Sequence, residues 1–198
     1  MDTTTAPGAP LKVTLVLGSN RHGRFGPVVA DWLLTHLRAR TGLAVEVVDV
    51  ADTAALPTSL DPGPEARAAL AEITPKLAGA DAFVVLTPEY NHSVPAGLKN
   101  LIDWHFTEWQ AKPVALASYG GLAGGLRAVE HLRQIFAELH AVTVRDTVSF
   151  HNAGASFDDT GHPKDPTAPD AAAKTMLDQL TWWGHALREA RERRPYGS

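Results

Sequence analysis

The sequence has no cysteine among its 198 residues. Disulfides, thiolate metal sites and cysteine nucleophiles are therefore excluded, and any chemistry must come from other side chains or from a bound cofactor. There is no excess of positive charge: 18 Lys and Arg against 22 Asp and Glu leave a net charge of −4. No broad basic face for nucleic acid is implied. No apolar run approaches the length that spans a bilayer, so no membrane partner is expected. The nine histidines are scattered, and none forms a ligand pair with Asp or Glu at metal-site spacing. Residues 1–10 hold Thr, Ala and Pro but neither Lys nor Arg, unlike a secretory signal. The expectation is a cytoplasmic protein with a mobile lead-in over residues 1–10 and one domain over residues 11–194.

What is present is an ordinary globular composition, 44% hydrophobic and 20% charged, which argues against disorder over most of the length. Short β-type runs alternate with longer helical ones. Leu11 to Leu17, Leu43 to Val50, Ala82 to Thr87, Pro113 to Ser118 and Ala141 to Val148 read as strands. Pro27 to Thr41, Glu65 to Leu77, Ala96 to Phe106, Gly125 to Leu139 and Asp170 to Arg194 read as helices. Pro27 suits a first helical turn, Gly42 a stop and Asp170 an N-cap, whereas Pro75 should end or distort its helix. Phe150 to Pro169 reads as a long polar loop. Repeated β-α order predicts an α/β fold: a doubly wound, five-stranded parallel sheet with helices on both faces. Ligands of such sheets sit beyond the carboxyl ends of the strands, where the strand order reverses. The loops after the first, third and fourth strands are the places to look.

The first loop, Gly18-Ser19-Asn20-Arg21-His22-Gly23-Arg24-Phe25-Gly26, leaves a strand and opens a helix. Helix-terminal N–H groups, the Ser19 hydroxyl and the Arg21 and Arg24 forks suit a phosphate. It is not a Walker loop, because Arg24 and Phe25 follow Gly23 where Lys and Ser or Thr are required. Asn20 stands where a dinucleotide fingerprint needs its second glycine, although Asp49 does lie where a ribose-binding acid would. A terminal monophosphate fits better. The second loop, Pro88-Glu89-Tyr90-Asn91-His92-Ser93-Val94-Pro95, combines stiffening prolines with a flat Tyr and a polar Asn, as a planar heterocycle with polar edges wants. The third loop, Ser118-Tyr119-Gly120-Gly121-Leu122-Ala123-Gly124-Gly125, is glycine-rich and permits close backbone approach to a ring edge.

Taken together, Gly18-Ser19-x-Arg21, the run from Pro88 through Ser93 to Lys99-Asn100 and Asp103-Trp104, and Ser118-Tyr119-Gly120-Gly121 resemble the NADPH-dependent FMN reductase family. This flavodoxin-like group includes quinone, chromate and azo-dye reductases, and the resemblance covers Val13 to about Leu139. It implies that Ser19 and Arg21, with the backbone around Arg24, Phe25 and Gly26, hold the FMN phosphate. It implies that Pro88, Glu89, Tyr90 and Asn91 line the ring, and that Ser118, Tyr119, Gly120 and Gly121 meet its pyrimidine edge. Many members carry a Ser shortly after the Arg, and this chain has Arg24-Phe25-Gly26 there instead.

The activity implied is hydride transfer from NADPH (or NADH) to FMN and on to a small-molecule electron acceptor, with the flavin doing the chemistry and no catalytic side chain required. Related reductases are homodimers or homotetramers, and the apolar face of Ala96 to Phe106 fits such a contact. Three rivals keep the fold: an electron carrier, a tailoring enzyme acting on one aromatic or polyketide substrate, and a flavin-free regulatory protein. His92, Trp109 and the loop over residues 150–169 would form the rim that tells the tailoring enzyme from a general flavin reductase.

Overall fold

A computed structural model of the chain describes residues 9–197. The lead-in expected over residues 1–10 falls outside the described residues for its first eight positions. Ala9 and Pro10 are exposed, and their carbonyls accept from the Arg188 guanidinium at 3.1 and 3.2 Å.

The elements run β1 (Leu11–Leu17), α1 (Gly26–Arg38), β2 (Leu43–Asp49), α2 (Pro64–Ala78), β3 (Ala82–Pro88), α3 (Ala96–Asp103), β4 (Pro113–Tyr119), α4 (Leu126–Glu138), β5 (Val142–Thr143), β6 (Val148–Phe150), α5 (Ala153–Ser156) and α6 (Thr167–Arg193). The sheet order is β2-β1-β3-β4-β5, with β6 also on β4, and every pairing is parallel. β3 and β4 are buried along their whole length, as central strands covered on both faces must be.

Side-chain alternation sorts the core into two layers. Leu11, Val13, Leu15 and Leu17 of β1 join Ala82, Val84 and Leu86 of β3 under α1 and α6. Val16, Phe83 and Val85 point the other way, into α2, α3 and α4. The apolar face of α3 belongs to this second layer: Leu98, Leu101 and Ile102 are fully buried within the chain. These three residues of the Ala96 to Phe106 face are therefore not free for a subunit contact, and of its large apolar residues only Phe106, at its end, is exposed. Trp109, expected at a rim, is likewise buried, packed between Phe83 and Phe136 at 4.6 and 5.4 Å between ring centroids.

Other boundaries differ from the sequence reading for identifiable reasons. The fifth strand is split. β5 pairs with Pro113 and Val114, β6 pairs with Ala117 to Tyr119, and the register shifts by two residues between them. The polar stretch between is held by side chains instead: Arg133 donates to the Val144 and Arg145 carbonyls, and Asp146 N–H donates to Gln179. Pro75 does not end α2. It sits near the C-terminus, and Pro75 and Ala71, whose carbonyl loses its usual partner, are both exposed. α6 starts at Thr167, so Asp170 is not its N-cap but lies in its first turn, where it accepts from Trp32 Nε1 of α1 and contacts His36. The loop over residues 150–169 is partly ordered by α5 and by a bridge between Phe157 and Pro163.

Candidate functional site

Strand order reverses between β1 and β3, and a cavity of about 350 Å³ lies against the carboxyl ends of β1, β3 and β4. Small-molecule sites typically occupy about 300–1,000 Å³. Arg21, His22, Gly23, Arg24 and Phe25 of the first loop, Pro88, Glu89 and Tyr90 of the second, and Tyr119 and Gly120 of the third line it. The three stretches singled out in the sequence meet at one place.

The first loop is tightly seated. Gly18 N–H donates to Leu86 O at 2.7 Å. A Cβ at Gly18 would stand 2.8 Å from Leu98 Cδ2 and 2.9 Å from that carbonyl, so glycine is what lets the backbone pass this close to β3 and α3. Arg24 N–H closes a β-turn onto Arg21 O at 3.2 Å, with Gly23 at φ +66° in the position that a type II turn reserves for glycine. Among the described residues, no acceptor takes the N–H groups of His22, Gly23 or Phe25. Arg21 is exposed and has no acidic partner among the described residues. Free N–H groups, a free guanidinium and the start of α1 make a place for an anion.

Arg24 is engaged elsewhere. Its guanidinium forms a two-pronged pair with the Asp49 carboxylate, Nη1 to Oδ1 at 2.5 Å, and also donates to Ser19 O. The Asp49 hydrogen bond is the main reason the Arg24 pKa is raised. Asp49 accepts from Ala51 N–H as well, at 2.9 Å. This removes the sequence argument for Asp49 as a ribose-binding acid. Ser19 is buried, and its Oγ lies 2.7 Å from the Tyr90 hydroxyl and accepts from Arg21 N–H.

The second loop is a two-residue hairpin. Tyr90 and Ser93 exchange both backbone bonds, and Asn91 and His92 take φ of +49° and +69°, the signature of a type I′ turn. Asn91 and His92 are exposed. Glu89 is tied to α4: its carboxylate accepts from Arg127 Nη1 at 2.7 Å and from Arg127 N–H at 3.3 Å, a favourable place for negative charge at a helix start. The sequence reading missed Arg127, whose link to Glu89 only the fold reveals.

In the third loop, side chains serve the loop itself. Ser118 is fully buried and donates to Gly124 O at 2.8 Å, joined there by Ser149 Oγ. Gly124 and Gly125 have φ of +59° and +87°, and a Cβ on Gly125 would strike Ser118 Cβ at 2.6 Å. Gly120 N–H is taken by Phe150 O at 3.0 Å, whereas Gly121 N–H has no acceptor among the described residues. Tyr119 turns its ring inward beside Phe25, and its hydroxyl crowds Gly26. Burial, and then the neighbouring Tyr90, push the Tyr119 pKa up, so the phenol keeps its proton.

Among the described residues, no group of three or more His, Cys, Asp or Glu is arranged to hold a metal ion, and no helix is long and apolar enough to cross a membrane.

Comparison with known proteins bears on this geometry. An NAD(P)H-dependent FMN reductase of Schizosaccharomyces pombe is 38% identical over 134 residues, covering 61% of this chain and 66% of that protein. An NADPH:quinone oxidoreductase of Arabidopsis thaliana is 31% identical over 185 residues, covering 89% of this chain and 94% of that one. Among solved structures, the flavoenzyme NAD(P)H:acceptor oxidoreductase FerB of Paracoccus denitrificans superposes with a TM-score of 0.68 at 21% identity, covering 87% of this chain and 97% of that one. Residues 11–155 match the family profile of the NADPH-dependent FMN reductases, and the chain belongs to that family.

Proposed function

We propose that the protein is an FMN-dependent NAD(P)H oxidoreductase that passes reducing equivalents to a small acceptor such as a flavin or a quinone. The observation that carries this reading is the convergence of the three loops on one cavity at the strand-order reversal, with Arg21, which has no acidic partner among the described residues, at its edge. The residues present fit FMN. Arg21 and the free N–H groups of His22, Gly23 and Phe25 would take the phosphate, and Pro88 and Tyr90 would offer the ring an apolar edge and a flat surface. Gly121 N–H would reach the pyrimidine edge, where a donor favours the negative charge of reduced flavin. Bound FMN supplies hydride acceptance and release, so no protein nucleophile or general base is needed.

Ser118 and Glu89 serve this reading as loop anchors. Ser118 Oγ fixes the third loop through Gly124, and Glu89 fixes the second loop to α4. The proposal includes assembly as a homodimer or homotetramer. Leu122 in the third loop and Leu126 at the start of α4, 87% and 42% exposed, are apolar surface that a second copy would cover.

The test is spectroscopic. Purified protein titrated with FMN should acquire a perturbed flavin spectrum, and anaerobic NADPH or NADH should bleach it rapidly. Bound flavin that neither nucleotide bleaches would favour an electron carrier. Failure to bind FMN would overturn the proposal.

A further inference from the structure

We infer that Arg24 is a positioning residue rather than a phosphate ligand, and that its pair with Asp49 holds the first loop in the shape that receives the cofactor phosphate. The inference rests on the reading of the cavity as an FMN site. Three observations carry it.

The first is the geometry of Arg24 itself. Both terminal nitrogens meet the Asp49 carboxylate, and Nη1 also reaches the Ser19 carbonyl. The pair is largely withdrawn from water, with side chains 17% and 20% exposed. To reach a phosphate, Arg24 would have to abandon a two-pronged, charge-assisted contact and leave the Asp49 carboxylate uncompensated beside an incoming anion.

The second is the neighbouring cation. Arg21 lies on the same cavity and has no acidic partner among the described residues. The loop thus carries one neutralised arginine and one free one, and the free one is the natural phosphate ligand. Neutralising Asp49 also removes a charge that would repel the anion.

The third is what the pair holds. Asp49 ends β2, and Arg24 joins it to Ser19 O. Ser19 Oγ lies 2.7 Å from the Tyr90 hydroxyl of the second loop and accepts from Arg21 N–H. The chain Asp49–Arg24–Ser19–Tyr90 therefore fixes the start of the phosphate loop relative to both β2 and the proposed ring loop. The Arg24 backbone closes the turn that exposes the His22 and Gly23 N–H groups. Loosening it would disturb those donors without removing any of them.

The experiment compares FMN with riboflavin, which has the same ring but no phosphate. Binding of each to apoprotein is followed by flavin fluorescence in the wild type, D49N, R24K and R24Q, with thermal melts of each apoprotein. A positioning role predicts that D49N weakens FMN binding by about tenfold or more through lost preorganisation, with riboflavin binding little changed. It also predicts that R24K, which keeps the charge but not the fork, fails as R24Q does. A direct phosphate role predicts the opposite: D49N frees Arg24 and binds FMN as well as or better than wild type, and R24K retains most of the affinity. That result would overturn the inference. Should D49N fail to fold, the contrast between R24K and R24Q decides by itself. Wild-type protein that binds neither flavin would remove the flavin reading and this inference with it. Wild-type protein that binds FMN, alongside a D49N that binds it equally, would remove only this inference.

Discussion

Lys112 lies immediately before β4 and is only 6% exposed. Its ammonium donates to Leu77 O and Ala78 O, the last carbonyls of α2, at 3.0 and 2.9 Å, and sits 5.5 Å from the centre of the Phe83 ring. Burial lowers its pKa from 10.5 to about 8. Arg191 of α6 adds to the lowering, and Asp81 and Glu108 oppose it. The consequence for stability has a definite sign. Below pH 8 both folded and unfolded chains carry the charge, and the folded state bears the whole cost of burying it. Between pH 8 and 10.5 the folded chain releases the proton while the unfolded chain keeps it, so stability attributable to Lys112 rises with pH. One pKa unit corresponds to about 1.4 kcal/mol, so the full rise is roughly 3 kcal/mol. Urea unfolding at intervals from pH 7 to 10.5, in the wild type and in K112M, isolates this contribution because the other titrating groups are common to both. The wild type should gain on K112M by up to that amount across the window. Profiles that stay parallel, or a wild type that loses ground as pH rises, would refute the reasoning.

Other perturbations test the site. Gly18→Ala would press a Cβ against Leu98 and the Leu86 carbonyl, so it should cost about 1–3 kcal/mol of stability in urea unfolding and weaken FMN binding as the loop shifts. Arg21→Ala removes the free guanidinium at the cavity edge, and FMN affinity should fall roughly 10- to 100-fold, the worth of a charged hydrogen bond, while riboflavin affinity holds. His92→Gly relieves a left-handed residue at φ +69°, a strain of about 1–2 kcal/mol partly offset by the extra freedom of glycine in the unfolded chain. A rise in melting temperature of about 2 °C is expected, and a fall would contradict the turn assignment.

Much of the fold was legible because it rests on local pattern. The near-continuous apolar runs of β3 and β4 announce strands buried on both faces, and the β-α alternation leaves a parallel sheet as the natural arrangement. The misreadings lie where tertiary partners override local signals. Arg145, Asp146 and Thr147 sit inside an otherwise strand-like run, and whether they interrupt it depends on Arg133 and Gln179 from two different helices. Asp170 resembles an N-cap, yet its contacts with Trp32 and His36 come from α1, more than a hundred residues away in sequence. The apolar face of α3 looked available because sequence does not say which face of the sheet will cover it.

At the site, position was legible and side-chain allegiance was not. The loops that contain Ser19, Tyr90 and Gly120 do converge, because strand-to-helix turns in such a sheet must emerge at one end. But Arg21 and Arg24 are indistinguishable as residue types, and the same fork fits a phosphate or a carboxylate. What separates them is tertiary placement, and it begins with strand order. β2 lies beside β1 in a register that sets Asp49 opposite Leu17, one residue before the loop begins. Once that neighbour is known, an acid at the end of β2 faces the loop after β1, and the turn over residues 21–24 decides which of its two arginines reaches the acid. Sequence had already marked Asp49 as a notable acid at a strand end, and assigned it to a ribose. The residue was the right one to notice, and only its partner depended on which strands are adjacent.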